Sequence, residues 1–118
     1  MYTEILNILI GFHTCSHISF ALTNNYPIYY KTIYYPIFAS TDVLVHYYLM
    51  KDEQSYISGL WLVWHLIKSI KYFKNLRSLT YINWFEAATY FYEFSGKLPN
   101  SLIGMALYIP FRIYGLTW

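Results

Sequence analysis

Residues 54–77 read QSYISGLWLVWHLIKSIKYFKNLR, and this stretch decides the fold that the sequence predicts. Its first fourteen residues contain no Lys, Arg, Asp or Glu, and their single histidine is His65. Four basic residues follow at intervals of three: Lys68, Lys71, Lys74 and Arg77. An apolar body with a basic end is typical of a helix that crosses a bilayer and ends among the phosphate head groups. The stretch therefore predicts a membrane-spanning helix at about 55–76.

The composition of the whole chain favours the same class of protein. Hydrophobic residues make up 57% of the 118 residues, and charged residues only 12%, which is roughly half the share in a soluble domain. Aromatic residues reach 23%, and Tyr and Trp suit a membrane interface, where one end of the ring meets water. The length allows one domain. The sequence thus predicts a single all-α integral membrane domain over 1–118.

Several other classes of protein are disfavoured. The net charge of +2 is too small to make nucleic acid the main partner. Cys15 is the single cysteine, which excludes an intrachain disulfide and a cysteine-based zinc cluster. The sequence has no nucleotide-binding loop, catalytic triad or paired metal-ligand motif. It also lacks a clear signal peptide or transit peptide, so a protein of an organelle would be expected to be made there or imported by an internal signal.

The order of apolar and polar segments predicts two or three spanning helices. They lie at about 5–23, 32–50 and 55–76, and the charged triplet 51–53 separates the last two. Residues 78–94 carry an apolar stripe at helical spacing, with Glu86 and Glu93 off that stripe, which predicts an amphipathic helix. Residues 98–118 form a short apolar tail, read as a half-span, an interfacial segment or an extended segment.

Two groups of polar residues fall inside the predicted spans. The first is the patch 13–19, which a helix surrounded by lipid would not tolerate and a helix packed against partners would. The second is Asp42 with His46, which are four residues apart and share a helix face. Together they can line a polar path through the membrane.

The basic end of the 55–76 helix predicts topology and a lipid partner. Lys and Arg concentrate on one side of the predicted spans, so that side is placed in the cytoplasm or matrix. Lys68, Lys71, Lys74 and Arg77 are candidate contacts for anionic phospholipids such as cardiolipin. The simpler alternative is a solvated helix end that only fixes the topology.

Residues 65–72, HLIKSIKY, resemble the second-helix motif of the succinate dehydrogenase cytochrome b anchor, in which His, three residues, Gly, Ile, Arg and His follow one another. The resemblance implies that His65 ligates a b-type haem shared with a partner subunit, with ubiquinone nearby. Ser69, Lys71 and Tyr72 replace the family's Gly, Arg and second His. The alternative is a His65 that hydrogen-bonds to a neighbouring helix or extends toward the head groups.

The three predicted helices, with an acid in the second, also resemble the small 4L subunit of respiratory NADH dehydrogenase. That resemblance implies a proton path through Asp42 and Glu86, with Asp42 in the place of the family's Glu. The alternative for Asp42 is a structural pair with His46 or Lys31.

The heavy use of Tyr, Ile, Phe and Leu is similar in style to divergent, mitochondrially encoded respiratory subunits of ciliate type. The resulting hypothesis is a non-catalytic inner-mitochondrial-membrane subunit that anchors or completes the membrane arm of a respiratory complex. A complex II anchor is favoured over a complex I subunit, and an accessory subunit of cytochrome oxidase or ATP synthase stays open. Its partners would be other membrane subunits. From another class, a standalone oligomeric transporter or pore component is the alternative.

Overall fold

A computed structural model describes residues 2–69 and 80–118, except the side chain of Thr80. The helices in these ranges are α1 (Tyr2–Thr23), a π-helix (Tyr30–Ala39), α2 (Ser40–Lys51), α3 (Tyr56–Ser69), α4 (Thr80–Ser95) and α5 (Asn100–Ile113). The described residues contain no strand. The prediction of an all-α fold is therefore confirmed.

Helix α1 lies at the centre of the fold and packs against α2, α4 and α5. It has 22 residues, and Glu4 in its first turn complements the positive end of the helix dipole. The helix ends where Asn24 adopts a left-handed conformation, with φ of 53°, and its N–H donates to the Phe20 carbonyl at 2.7 Å. Asn tolerates this conformation better than most residues, which explains the helix end at this point.

The predicted helix at 32–50 has an unexpected first half. Residues Tyr30–Ala39 form a π-helix that leads directly into α2. The Tyr34 N–H donates to the Tyr29 carbonyl, five residues back, at 3.1 Å. Pro36 lies inside this segment. Proline has no N–H and its ring clashes with the carbonyl four residues earlier in an α-helix, so a wider helix accommodates it.

Helices α1 and α5 approach each other at backbone distance. A methyl group added at Gly11 would overlap the Ser101 carbonyl, and one added at Gly104 would overlap the Ile8 carbonyl. Ser101 Oγ donates to the Asn7 carbonyl at 3.2 Å across the same contact. Small residues allow this approach because nothing larger separates the two backbones.

Two apolar clusters flank a polar layer. The first contains Leu6, Ile10, Val45, Tyr48, Leu49, Tyr90 and Phe94. The second contains Phe12, Phe20, Tyr34, Phe38 and Trp118. Along α1, His13 and His17 come between Phe12 and Phe20 of the second cluster. Along the next helical segments, Asp42 comes between Phe38 of the second cluster and Val45 of the first. The polar residues of the site therefore occupy the middle of the bundle.

The outer surface is unusually apolar. Among the described residues, 28 large hydrophobic side chains are exposed, including Leu60 at 71% and Ile113 at 75%. One helix in the described ranges, α1, is long and apolar enough to cross a membrane, and 61% of its most apolar window is buried inside the fold. Its 22 residues would extend for about 33 Å, which matches a hydrocarbon core of about 30 Å.

The remaining predicted boundaries agree with the structure only in part. Helix α3 is described as far as Ser69, and the predicted continuation to 76 lies outside the described residues. In α4, Tyr81 and Phe85 of the predicted apolar stripe are exposed, while Glu86 faces the core. The tail at 98–118 is neither extended nor broken at Pro110, since α5 continues to Ile113. Proline near the end of a helix disrupts few further hydrogen bonds, and packing on α1 supports the rest.

Candidate functional site

All four histidines of the chain converge on two carboxylates in the centre of the fold. Helix α1 supplies His13 and His17, α2 supplies Asp42 and His46, α3 supplies His65, and α4 supplies Glu86. Five of these six residues are at most 4% exposed, and the His65 side chain is 14% exposed. Ionisable groups buried this deeply require partners, because desolvation of an unpaired charge costs several kcal/mol.

The His17 ring lies between the two carboxylates. Its Nε2 is 3.0 Å from Asp42 Oδ2, and its Nδ1 is 3.3 Å from Glu86 Oε2. Nδ1 is also 3.1 Å from the side-chain oxygen of Asn83. Since carboxylate oxygens accept hydrogen bonds, both ring nitrogens face acceptors and both are placed to donate. His17 thus joins the carboxylates of α2 and α4 through one imidazole.

His46 and His65 meet at one oxygen atom of Glu86. His46 Nε2 lies 2.8 Å from Glu86 Oε1, and His65 Nε2 lies 2.6 Å from the same oxygen. The two imidazoles also approach Asp42, at 3.7 Å from Oδ1 and 3.5 Å from Oδ2 respectively. His46 Nδ1 is buried and has no hydrogen-bond partner among the described residues. All polar contact of the His46 ring with those residues is therefore made through Nε2.

His13 stands at the edge of the cluster. Its Nε2 is 2.9 Å from the Thr41 hydroxyl oxygen, which donates its own proton to the Phe38 carbonyl at 2.9 Å. The Thr41 oxygen must then accept from His13, which places a proton on His13 Nε2. His13 Nδ1 faces Asp42 Oδ1 at 3.9 Å, too far for a hydrogen bond. His13 is consequently tied to the π-helix and α2 rather than to the carboxylates.

Tyr90 fixes the second oxygen of Asp42. Its hydroxyl donates to Asp42 Oδ1 in a short hydrogen bond and also lies 3.2 Å from the Asp42 carbonyl. The Tyr90 ring stacks on the His46 ring, with centroids 4.6 Å apart. Each oxygen of Asp42 therefore has a donor from a different helix, which holds the orientation of the carboxylate.

A cavity of about 510 Å³ borders this cluster. Its polar lining includes His17, Asp42, His65 and Glu86, and its apolar lining includes Tyr34 and Trp118. The cluster is thus reached from the side on which His65 is partly exposed.

No protein-family model, curated protein or solved structure matches this chain. The geometry of the site is therefore the basis for its proposed function.

The sequence predicted some of the cluster and missed its extent. Asp42 and Glu86, predicted as a proton path, both lie within 3.3 Å of the His17 ring, which hydrogen-bonds to Asp42 and Asn83. The predicted pairing of Asp42 with His46 is a 3.7 Å contact, but both residues make shorter contacts elsewhere. Asn83 and Tyr90 were not predicted as members. Their positions three residues before and four residues after Glu86 place all three on one face of α4, which is the sequence signal that would have found them.

The geometry around His65 bears on the predicted haem ligation. An axial ligand needs a free ring nitrogen, whereas His65 Nε2 is 2.6 Å from Glu86 Oε1. Binding of haem iron at that nitrogen would break the contact with Glu86 and leave part of a buried carboxylate unpaired. The role of His65 as a haem ligand stays a prediction, and no step through a haem is derived.

Of the four residues predicted to contact lipid, Lys68 alone lies within the described residues. Lys68 is half-buried at the end of α3, with Nζ 5.9 Å from the centre of the Trp64 ring. It also lines the cavity next to His65. Lys71, Lys74 and Arg77 lie outside the described residues, so their role as lipid contacts stays a prediction.

Proposed function

We propose that this chain is a small integral membrane subunit, built as a helical bundle around a buried histidine–carboxylate cluster. The observation that carries the proposal is the inverted distribution of polarity. Two of the six acidic residues and all four histidines are in the interior, whereas 28 large hydrophobic side chains cover the described exterior. If this bundle were surrounded by water, its exposed apolar area would be far larger than the apolar patches found on soluble proteins.

The packing of the helices supports the same proposal. In a bilayer, helices associate through small residues and hydrogen bonds, because burial of apolar side chains gives no advantage over contact with lipid. Gly11, Gly104 and Ser101 provide such a contact between α1 and α5. Ionisable residues in membrane helices face the interior of the bundle and pair with groups of opposite character, as Asp42 and Glu86 do with His17.

The finer proposal is a subunit that anchors or completes the membrane arm of a respiratory complex in the mitochondrial inner membrane. It is supported by the composition and by the resemblance of residues 65–72 to the complex II anchor. The continuous contacts from Asp42 through His17 to Glu86 and on to His65 favour a second role, proton transfer, as in a complex I subunit. The contacts in this series are 3.3 Å or shorter, close to the separation at which hydrogen-bonded groups exchange protons, and this supports the second role.

Two measurements on native membranes test these proposals. Alkaline carbonate extraction should leave the chain in the membrane pellet, and release into the supernatant would contradict membrane integration. Native electrophoresis after mild detergent extraction should then place the chain in a large assembly with succinate or NADH dehydrogenase activity. Migration as a small free species would refute the respiratory role but leave the membrane proposal intact.

A further inference from the structure

We propose that Asp42, His46, His65 and Glu86 bind one divalent transition-metal ion in the centre of the bundle. The four ligand atoms that these side chains offer all lie within 4.8 Å of one another. Asp42 and His46 are neighbours on one face of α2, and the fold brings His65 of α3 and Glu86 of α4 to them. The ion site does not depend on the membrane placement proposed above.

The distances between the ligand atoms fit the size of such an ion. Bonds of about 2.0–2.2 Å in a tetrahedral site imply edges of about 3.3–3.6 Å between neighbouring ligand atoms. The contacts of His65 Nε2 are 2.6 Å to Glu86 and 3.5 Å to Asp42. The corresponding contacts of His46 Nε2 are 2.8 Å and 3.7 Å. His46 faces Asp42 Oδ1 and His65 faces Asp42 Oδ2, so Asp42 would turn one oxygen toward the ion. Shifts of several tenths of an ångström, within reach of side-chain rotation, would then bring these four of the six edges close to the tetrahedral length.

The orientations of the His46 and His65 rings favour metal binding over a purely structural role. His46 and His65 direct the same nitrogen, Nε2, toward a common point, and a neutral imidazole binds a metal through one ring nitrogen. Without an ion, two imidazoles compete for a single oxygen, Glu86 Oε1. An ion at the common point would accept a lone pair from each ring and from both carboxylates.

Neighbouring side chains hold the carboxylates in position. His17 contacts Asp42 Oδ2 and Glu86 Oε2, and Tyr90 donates to Asp42 Oδ1. Hydrogen bonds of this kind to the ligating groups are a regular feature of metal sites, because they fix ligand orientation. The carboxylates of Asp42 and Glu86 also carry two negative charges in a mostly apolar interior, where a divalent cation is strongly favoured.

The ligand set and the cavity restrict the type of ion. Two imidazole nitrogens with two carboxylates suit Zn²⁺, Fe²⁺ or Mn²⁺ better than Mg²⁺ or Ca²⁺, which prefer oxygen ligands alone. The 510 Å³ cavity is lined by Asp42, His65 and Glu86, and this gives the ion a route of entry.

Metal content of the purified full chain tests the proposal directly. The protein would carry a tag without histidine, be stripped with a chelator in mild detergent, and be equilibrated separately with Zn²⁺, Fe²⁺ under anaerobic conditions, Mn²⁺ and Co²⁺. Mass spectrometry of the bound metal should give one ion per chain for at least one of the first three. Bound Co²⁺ should add a visible ligand-field absorption, which reports nitrogen and oxygen ligation independently of any activity.

Matched variants separate ligation from stability. Glu86→Gln and His65→Gln should each lower the affinity for the ion at least tenfold. The controls Glu93→Gln, on the same helix, and His13→Gln, within the same interior, should keep one ion per chain. Because His65 lies at the accessible edge, His65→Gln should stay folded even where Glu86→Gln does not, as circular dichroism of the stripped proteins would show. Failure of the wild type to bind any of the ions, or equal binding by His65→Gln and His13→Gln, would overturn the proposal.

Discussion

Asp42 and Glu86 lie on opposite sides of a single imidazole, with His17 Nε2 3.0 Å from the first and His17 Nδ1 3.3 Å from the second. The arrangement connects α2 to α4 through a residue of α1. Three helices therefore meet at the buried His17 ring. Its contacts, and the packing of the helices around it, should stabilise the fold.

Removal of the charge on Glu86 should destabilise the bundle strongly. Glu86→Gln keeps the shape of the side chain but removes the anion that His17, His46 and His65 contact. Breaking a buried ion pair typically costs about 3–5 kcal/mol of unfolding free energy. Asp52→Asn is the control, because Asp52 is exposed at the end of α2, where an ionic contact contributes about 0–1 kcal/mol. Denaturant unfolding in detergent should resolve the two variants, and equal losses would show that the cluster contributes no more than a surface pair.

Removal of the Tyr90 hydroxyl should destabilise the fold. The Tyr90→Phe variant keeps the stacked ring and removes the donor to Asp42, which leaves a buried carboxylate oxygen without one of its partners. The expected loss in unfolding free energy is about 1–3 kcal/mol. Tyr92→Phe, at a side chain that is 78% exposed, should change the stability very little. Thermal melts of the two proteins provide the comparison, and a neutral Tyr90→Phe would mean that Asp42 is held by His17 alone.

The contact between α1 and α5 should not tolerate a methyl group. Gly104→Ala would bring a Cβ atom into the Ile8 carbonyl, so the two helices must separate. Overpacking of this kind costs about 1–3 kcal/mol. At Gly96 the nearest atom to an added Cβ, among the described residues, is the Glu93 carbonyl oxygen at 4.0 Å, so Gly96→Ala is a matched control. We expect a lower melting temperature for Gly104→Ala only, and identical melting temperatures would refute close packing of these backbones.

The C-terminal residues should contribute to the core. Trp118 is 8% exposed and its ring centre lies 4.3 Å from that of Phe20 on α1. The preceding Thr117 hydroxyl is 2.9 Å from Ser16 Oγ. Trp118→Ala should therefore cost about 3–5 kcal/mol of unfolding free energy.

Tyr114→Ala serves as the control for that experiment, since Tyr114 is an aromatic residue of the same segment and is 70% exposed. Limited proteolysis offers a second readout, because Trp118→Ala should release the C-terminal segment and increase cleavage there. Comparable stability and cleavage of the two variants would show that Trp118 does not anchor this segment.

The helical nature of the chain follows from local sequence. The charge-free first segment, the Asn pair that ends it and the charged triplet before α3 are local signals, and they place three of the helices within a few residues. The apolar stripe of α4 is also visible in the sequence. The sequence does not show which way this stripe faces, because an apolar face can turn toward the core in water or toward lipid and partners in a membrane. Here Tyr81 and Phe85 point outward while Glu86 points inward.

By itself, the sequence determined that the chain is helical and apolar, and it indicated His65, Asp42 and Glu86 as candidate site residues. Only the tertiary structure decided that these groups meet one another. The physical reason is distance along the chain: periodicity reports which residues share a face of one helix, whereas the meeting of α1, α2, α3 and α4 depends on packing between segments far apart in sequence. The stretch 54–77 indicated a possible ligand at His65, and the fold supplied the two carboxylates that His65 contacts.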